Sequence, residues 1–310
     1  MTPINHMTRR GVAAAMATLA LLSRPSRAAT GDQDPPGPPW TTAVATGPGV
    51  SYRTFPSRAA GATVSYHVYL PPTYAAETER RFPLLCWLHG SGGGLAGIPM
   101  LSRRFDSAIR SGAAPPMIIL FPHSRGESMW CDAHDGSSPV ETVLMEELLP
   151  LMDAEFRTWG DARGRMIEGF SMGGYGAARL GFSRPQMFSA VSMLGAGPMQ
   201  LNFEEGPDFN RDLRERVMQT VYGDDPERFR ALSPWRIAET NAPDLGRLSI
   251  RSLIGARDWT LPANRAFHGH LERLGVRHSY VEVQNVGHAP IALIEGLGDR
   301  MWGFYRAVFG

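Results

Sequence analysis

The sequence predicts a doubly wound α/β fold, in which helices cover both faces of a mostly parallel sheet. Short apolar or β-branched runs alternate with longer helical patterns over about 260 residues, beginning near Val50. Two of these runs, Leu84–Leu88 and Met117–Phe121, are continuously apolar. Such runs are typical of strands that are buried on both faces of a parallel sheet. The alternation therefore indicates one α/β domain at residues 50–310.

Each predicted element follows from its local pattern. Strands are expected at short runs of β-branched, aromatic or apolar residues, namely Val64–Leu70, Leu84–Leu88, Met117–Phe121, Arg165–Gly169, Phe188–Leu194, Leu248–Gly255 and Ser279–Val283. Helices are expected where apolar or small residues recur at helical spacing, namely Leu95–Ser111, Val140–Phe156, Met172–Ser183, Arg211–Val221, Pro226–Leu232, Pro262–Leu274 and Ala289–Phe309. Pro150 should bend or interrupt the second of these helices. Residues 197–247 break the alternation, and we interpret them as a small helical insertion over one end of the sheet.

The first 28 residues have the pattern of an export signal of the twin-arginine type. Arg9 and Arg10 precede an alanine- and leucine-rich run, Gly11–Leu22, and the segment contains no acidic residue. The run has 12 residues, which is too short to span a bilayer. Small residues around Arg27 allow cleavage after Ala28. A frayed N-terminal tail is the alternative interpretation.

A proline-rich linker is predicted at residues 29–49, between the signal and the folded domain. Four of the six residues at positions 34–39 are proline, which cannot continue a helix or a central strand. The predicted organisation is therefore an export signal at 1–28, a linker at 29–49 and a folded domain at 50–310.

Composition excludes several kinds of site. All 31 basic residues are arginine, which excludes Schiff-base catalysis, a pyridoxal phosphate anchor and a P-loop lysine. The two cysteines, Cys86 and Cys131, are too few for a Cys₄ zinc site or an iron–sulfur cluster. Export would permit a disulfide between them, whereas the apolar run around Cys86 is typical of a buried free thiol. We expect no metal and no organic cofactor.

The net charge argues against a nucleic-acid partner. The full chain has a formal charge of +1, but four of its arginines lie in residues 1–28. Their removal leaves 27 arginines against 30 acids, a net charge near −3, and no basic stripe remains. No later apolar stretch approaches ~18 residues, so we expect no membrane span in the exported form.

A G-x-S-x-G pattern occurs at Gly169-Phe170-Ser171-Met172-Gly173. It directly follows a predicted strand and directly precedes a predicted helix, which is the setting of a nucleophile elbow. Glycine is needed at both ends of such a turn because a Cβ there would collide with neighbouring backbone. A purely structural glycine turn is the alternative. The pattern predicts that Ser171 is a nucleophile.

His288 is the best placed of the nine histidines to act as the base for this serine. It follows the last predicted strand after a short loop that contains Gly287, where the chain order Ser, Asp, His puts the base. By contrast, His268 and His270 lie two residues apart on different faces of a helix, which argues against a metal pair.

Asp258 is the predicted acid that orients the histidine. It comes immediately after the strand Leu248–Gly255, whereas the strand Phe188–Leu194 is followed by no acid before Glu204. The alternative role for Asp258 is the N-cap of a surface helix.

Backbone N–H groups should stabilise the oxyanion that forms when a serine attacks a carbonyl. Met172 should supply one of them, because it follows the nucleophile. The glycine-rich loop at residues 89–94 should supply the second, and we choose the N–H of Ser91, with Gly90 or Gly92 as alternatives. We expect His89 to be structural, bonding within this loop.

These motifs together resemble the α/β-hydrolase superfamily, and within it the putative-esterase group. That group includes feruloyl and acetyl-xylan esterases, S-formylglutathione hydrolase and the mycolyltransferases. The resemblance extends over residues 50–310 and is carried by Leu88-His89-Gly90, Glu146–Pro150, Gly169–Gly174, Ser233-Pro234-Trp235, Gly255–Asp258 and Val281–His288. It implies an α/β-hydrolase catalytic domain with the insertion at 197–247 between the sixth and seventh strands. It also implies a catalytic triad of Ser171, Asp258 and His288.

Loops over the strand ends should determine specificity. The candidate substrate-binding residues there are Trp130, His134, Trp235, Trp259 and Arg125. The tryptophans could stack on aryl or sugar rings, or they could pack the insertion onto the body of the domain. Arg125 could bind a substrate carboxylate or form a surface ion pair. Glu168, just before the elbow, is expected to pair with an arginine.

The leading hypothesis is a periplasmic or secreted serine carboxylesterase that works through an acyl-enzyme intermediate and without a cofactor. Its substrate would be a small-molecule or carbohydrate ester, of a carbohydrate-linked or aryl type such as a feruloyl or acetyl ester. An acyltransferase or serine peptidase of the same fold is the second hypothesis. A non-catalytic glycan- or envelope-binding protein on a hydrolase scaffold is the third.

Overall fold

An eight-stranded mixed sheet forms the centre of the described part of the chain. The computed structural model describes residues 39–203, 205 and 208–310, so the predicted export signal lies outside the described residues. The strands are β1 (Val50–Ser57), β2 (Ala62–Tyr69), β3 (Leu84–Leu88), β4 (Ile118–Pro122), β5 (Arg165–Phe170), β6 (Ala190–Leu194), β7 (Ser249–Gly255) and β8 (Ser279–Val283). Their order across the sheet is β1-β2-β4-β3-β5-β6-β7-β8. β2 is antiparallel to its neighbours β1 and β4, and the other pairs are parallel.

Helices cover both faces of this sheet. In chain order they are α1 (Ile98–Arg110), α2 (Val140–Thr142), α3 (Leu149–Glu155), α4 (Met172–Ser183), α5 (Arg211–Val217), α6 (Pro226–Leu232), α7 (Pro234–Leu245), α8 (Leu261–Arg273), α9 (Pro290–Leu297) and α10 (Asp299–Phe309). One apolar core lies under α1, α9 and α10, and a second lies under the remaining helices. This arrangement confirms the predicted doubly wound, mostly parallel α/β fold.

Strand β3 illustrates how the two cores are formed. Successive side chains of a strand point to opposite faces of the sheet. Leu84, Cys86 and Leu88 therefore lie in one core, and Leu85 and Trp87 in the other. All five are buried, as the continuous apolar run predicts.

The folded domain begins about ten residues earlier than the predicted boundary at residue 50. Residues 40–49, which were assigned to the linker, form no helix or strand but make hydrogen bonds to β2. Ser65 N–H donates to the carbonyl of Trp40 at 3.0 Å, and Ala45 N–H donates to Nε2 of His67 at 2.9 Å. Trp40 is buried. The residues that follow the prolines therefore belong to the folded domain and not to a linker.

Three further elements differ from the predicted ones, and a fourth is interrupted as predicted. β1 was not predicted because it is an edge strand that buries only Phe55 and Ser57, and because it contains Pro56, which an edge strand tolerates. The insertion contains α7 in addition to the predicted helices. The last predicted helix is divided into α9 and α10 at Gly298, whose φ is +55°. The helix before Pro150 has a π-helical turn at Val143–Leu148, so the proline interrupts the regular winding as expected.

Both cysteines are buried free thiols, so Cys86 and Cys131 do not form the disulfide that was left open above. Burial raises the pKa of the Cys86 thiol to about 12. In the part of the chain that the structure describes, no helix is long and apolar enough to cross a bilayer.

Candidate active site

The predicted chemical groups meet because parallel strands end at the same edge of the sheet. Leu88 at the end of β3 pairs with Gly169 of β5, so the loop after β3 lies beside Ser171. At the other side, Gly255 of β7 pairs with Val283 of β8. The loops that follow these two strands carry Asp258 and His288. Sheet register thus brings together residues that are 117 positions apart in the chain.

Ser171 lies in a tight turn between β5 and α4. Its φ of 57° and ψ of −122° are rarely adopted by residues other than glycine, and they present the side chain at the top of the sheet. The flanking glycines have the predicted steric role. A Cβ on Gly169 would lie 2.3 Å from the carbonyl oxygen of Gly173, and a Cβ on Gly173 would lie 2.0 Å from that of Leu88.

Ser171, His288 and Asp258 form a continuous chain of hydrogen bonds. His288 Nε2 lies 2.9 Å from Ser171 Oγ, and Nδ1 lies 3.0 and 2.9 Å from the two carboxylate oxygens of Asp258. A carboxylate can only accept, so Nδ1 carries the hydrogen and Nε2 is free to accept the serine proton. This is the tautomer that a general base needs.

The surroundings of the histidine restrict its movement. The His288 ring lies between Phe170 and Trp259, with centroid distances of 4.6 and 5.2 Å. The Asp258 side chain is fully buried and also accepts hydrogen bonds from the backbone N–H and the hydroxyl of Thr260, both at 2.9 Å. These contacts give Asp258 a fixed orientation toward the imidazole.

Two backbone segments beside Ser171 contain the predicted oxyanion donors. Met172 is the first residue of α4, where helix N–H groups have no partner within the helix. Ser91 lies in the glycine-rich loop, next to Gly90, where a Cβ would come within 3.2 Å of Ser171 Cβ. The alternative donor Gly92 instead bonds to Oε1 of Glu127 at 3.1 Å.

His89 has the structural position expected for it. Its Nδ1 lies 2.7 Å from the carbonyl oxygen of Gly90, and its carbonyl accepts the indole N–H of Trp130 at 3.2 Å. Burial lowers the pKa of His89 to about 4, so the ring is neutral at ordinary pH.

A cleft of about 510 Å³ opens onto Ser171 and His288. The insertion supplies an apolar wall of this cleft, made of Phe203, Phe209, Leu213 and Val217. Phe209 is 73% exposed and meets Trp259 edge to face, with ring centroids 5.4 Å apart. An aromatic surface thus extends from the imidazole to the mouth of the cleft. Among the described residues, no group of three or more potential ligands is arranged to hold a metal ion.

Of the five candidate substrate-binding residues, only Trp259 lines the cleft. Trp130 is fully buried and packs against Gly176. Trp235 donates to the carbonyl of Met199 and packs the insertion onto α8, which is the alternative role considered above. The remaining two lie outside the cleft lining: His134 is exposed beside Gly223, and Arg125 stacks on Trp40 at 4.9 Å.

Three residues of this site have no signal in the sequence. Phe203 lies in a turn and Phe209 in a short 3₁₀ helix of the insertion, and Glu127 belongs to a loop without a motif. Only the folded chain shows that they face Ser171 or its oxyanion loop. Glu168, in contrast, pairs with an arginine as expected: it binds Arg251 at 2.7 Å in the core.

Comparisons with known proteins show the family of this chain. A family model described as "Putative esterase" matches residues 57–290. The chain is 32% identical over 165 residues to "Esterase Rv1288" of Mycobacterium tuberculosis, covering 51% of this chain and 34% of that protein. It is 30% identical over 156 residues to an "Endo-1,4-beta-xylanase/feruloyl esterase" of Xylanibacter ruminicola, covering 46% and 21%. The chain thus spans 34% and 21% of the length of these two relatives.

Solved structures show the same fold over most of the chain. A ferulic acid esterase superposes with a TM-score of 0.70 at 26% identity, covering 84% of this chain and 98% of the other. An S-formylglutathione hydrolase from Agrobacterium tumefaciens superposes with a TM-score of 0.68 at 17% identity, covering 84% and 95%. These structures and the family match confirm the predicted resemblance. The chain belongs to the putative esterase family and has the α/β-hydrolase fold.

Proposed function

We propose that this chain is a serine carboxylesterase that hydrolyses carboxylic esters through an acyl-enzyme intermediate. The observation that carries the proposal is the hydrogen-bonded chain from Ser171 Oγ through His288 to Asp258. Membership of the esterase family supports it.

In the first half-reaction, Ser171 Oγ attacks the ester carbonyl while His288 Nε2 takes the hydroxyl proton. The new Oγ–C bond gives a tetrahedral oxyanion, which the N–H groups of Met172 and Ser91 stabilise. Each such donor typically contributes roughly 3 kcal/mol to transition-state stabilisation. The bond from carbon to the alcohol oxygen then breaks, and His288 gives its proton to the leaving alkoxide. An acyl-enzyme and a free alcohol result.

In the second half-reaction, water attacks the acyl carbon and gives a proton to His288 Nε2. The bond to Ser171 Oγ breaks, and the proton returns to the serine. The carboxylic acid leaves, and the site is regenerated. Asp258 stays ionised throughout and stabilises the imidazolium that forms in each half-reaction. The steps balance without a metal or an organic cofactor.

We assign aryl or carbohydrate-linked esters, of the feruloyl or acetyl type, as the substrate class. Support comes from the aromatic surface of Trp259 and Phe209, because aromatic rings stack favourably on other rings. The 26% identity to a ferulic acid esterase, over nearly all of that chain, points to the same class. We further propose that the protein is exported to the periplasm or secreted, on the basis of the twin-arginine pattern in residues 1–28.

A fluorophosphonate probe tests the serine mechanism. We expect covalent labelling of the wild type and none of Ser171→Ala. Absence of labelling in the wild type, or equal labelling of both proteins, would remove the proposal.

A panel of esters tests the substrate class. It contains p-nitrophenyl esters of increasing chain length, methyl ferulate and acetylated xylan. We expect turnover of methyl ferulate or acetylated xylan, with release of the free acid. Product transfer to an added sugar acceptor in place of hydrolysis would show an acyltransferase instead.

A further inference from the structure

Two side chains hold the loop that contains Ser91, and neither takes part in the mechanism described above. Nδ1 of His89 lies 2.7 Å from the carbonyl oxygen of Gly90. The N–H of Gly92 donates to Oε1 of Glu127 at 3.1 Å. The peptide N–H of Ser91 lies between these two fixed points. The loop is therefore held immediately before and immediately after the proposed oxyanion donor.

The first of these bonds fixes a peptide plane. The carbonyl of Gly90 and the N–H of Ser91 belong to one peptide, and in a trans peptide they point in opposite directions. Because a carbonyl only accepts, His89 Nδ1 must carry the hydrogen of this bond. With the carbonyl held on the side of His89, the Ser91 N–H is held on the other side.

The second bond holds Gly92, the residue that follows Ser91. Gly92 has a φ of +79°, and a Cβ on it would meet no atom within 4 Å, so packing does not hold it. Glycine is also the most flexible residue of the backbone. The hydrogen bond to Glu127 thus restrains this side of the loop. Without it, the peptide between Ser91 and Gly92 would lose this hydrogen bond, and the Ser91 N–H would be held from the His89 side alone.

Glu127 comes from a segment, residues 124–130, that holds the oxyanion loop at two other points. Ser124 N–H lies 3.3 Å from His89 Nε2, and the Trp130 indole donates to the His89 carbonyl at 3.2 Å. Arg125, Met129 and Trp130 all have φ near +55°. Such conformations are costly and cluster at functional sites. The segment therefore contacts the oxyanion loop through Ser124, Glu127 and Trp130.

We propose that Glu127 is a positioning residue for the oxyanion hole, acting through the Gly92 N–H to hold the Ser91 N–H toward the reacting carbonyl. This inference rests on the proposed esterase function. A donor that is positioned for the oxyanion stabilises the transition state and not the bound ester, so the effect belongs in kcat and not in KM. The role needs an acceptor atom and not a negative charge, so glutamine replaces glutamate.

The test compares Glu127→Ala with Glu127→Gln, using p-nitrophenyl acetate as substrate. Removal of a donor from an oxyanion hole typically costs 10²–10³ in kcat, and loosening of one should cost less. We expect kcat of E127A to fall by about 10- to 100-fold, with KM within about twofold of wild type. Kcat of E127Q should stay within about threefold of wild type. Affinity for phenylboronic acid, which forms a tetrahedral adduct with a serine, should fall in parallel with kcat.

Controls separate positioning from folding and from general loss of charge. Glu79→Ala removes an exposed carboxylate elsewhere and should leave kcat unchanged. Melting temperatures show whether each variant folds. If E127A does not fold, Glu127→Asp replaces it, because the shorter side chain keeps the charge but withdraws the acceptor. A loss of kcat of about tenfold or more in E127D then supports the proposal, and wild-type kcat overturns it.

Three results would overturn the assignment in an active wild type: unchanged kcat in E127A, equal losses in E127A and E127Q, or an effect on KM alone. A wild type that hydrolyses no ester of the panel and takes up no fluorophosphonate is a different result. It removes the proposed function, and this assignment with it.

Discussion

Replacement of Asp258 by asparagine should abolish most of the activity by reversing the tautomer of His288. Oδ1 of Asp258 accepts two hydrogen bonds from Thr260, both at 2.9 Å. In the variant these donors hold the amide oxygen at the Oδ1 position. The amide nitrogen then occupies the Oδ2 position, 2.9 Å from His288 Nδ1. The oxygen at the Oδ1 position, 3.0 Å from Nδ1, already accepts both bonds from Thr260, so we expect Nδ1 to accept from the amide and Nε2 to carry the hydrogen.

An Nε2 that carries a hydrogen cannot accept the proton of Ser171. Loss of kcat by about 10⁴-fold is typical of this change in serine hydrolases, which corresponds to about 5 kcal/mol of transition-state stabilisation. The fold should be nearly unaffected because the side chain keeps its shape and its bonds to Thr260. Steady-state kinetics on p-nitrophenyl acetate, with thermal melts and Ser171→Ala as the baseline, measure both effects. A decrease in kcat of less than tenfold in a folded D258N protein would refute this account of the site.

Three other predictions follow from contacts described above. Trp259→Ala should raise KM for methyl ferulate by about fivefold and change KM for acetyl esters little, because loss of an aromatic stack costs about 1 kcal/mol. The control is Trp159→Ala, since Trp159 is equally exposed at 39% but lies outside the cleft. Equal effects of Trp259→Ala on both esters would contradict the role. Glu168→Ala should lower the free energy of unfolding by about 3–5 kcal/mol in urea titrations, because it leaves the charge of Arg251 buried without its carboxylate. Burial lowers the pKa of His89 to about 4, so the stability contributed by the neutral ring is complete above the unfolded pKa near 6.5 and is lost as the pH falls toward 4. The free energy of unfolding of His89→Asn should therefore vary less between these pH values than that of the wild type. Parallel curves of unfolding free energy against pH for the two proteins would contradict this prediction.

Strands and helices whose buried side chains follow a regular pattern were predictable from the sequence. Leu84–Leu88 is a strand because all five of its side chains are buried, so no other pattern competes with its apolar run. The strand Val50–Ser57 was missed because it lies at the edge of the sheet and buries only Phe55 and Ser57. Its pairing with β2 is a long-range property that local pattern does not contain.

The chemical groups were predictable for a related reason. The strained turn at Ser171 requires glycine on both sides, so this geometry produces a recognisable motif in the sequence. Trp130 and Trp235 were candidates only as aromatic residues near the cleft, and the structure uses both to pack loops. Glu127 and Phe209 belong to no motif, because a single hydrogen bond or a single exposed ring does not restrict the types of the neighbouring residues. Specificity and loop support are therefore harder to predict than the reacting groups.

The separation of the insertion from the sheet has a consequence for protein engineering. Ser171, Asp258 and His288 are fixed by strand register and buried contacts, whereas one wall of the cleft comes from the helical insertion. Libraries restricted to Phe209, Leu213 and Val217 would therefore change which molecules enter without altering the bonds between the reacting groups. Selection for new ester substrates can therefore begin with substitutions in that wall, while the sheet and the loops that carry Ser171, Asp258 and His288 are left unchanged.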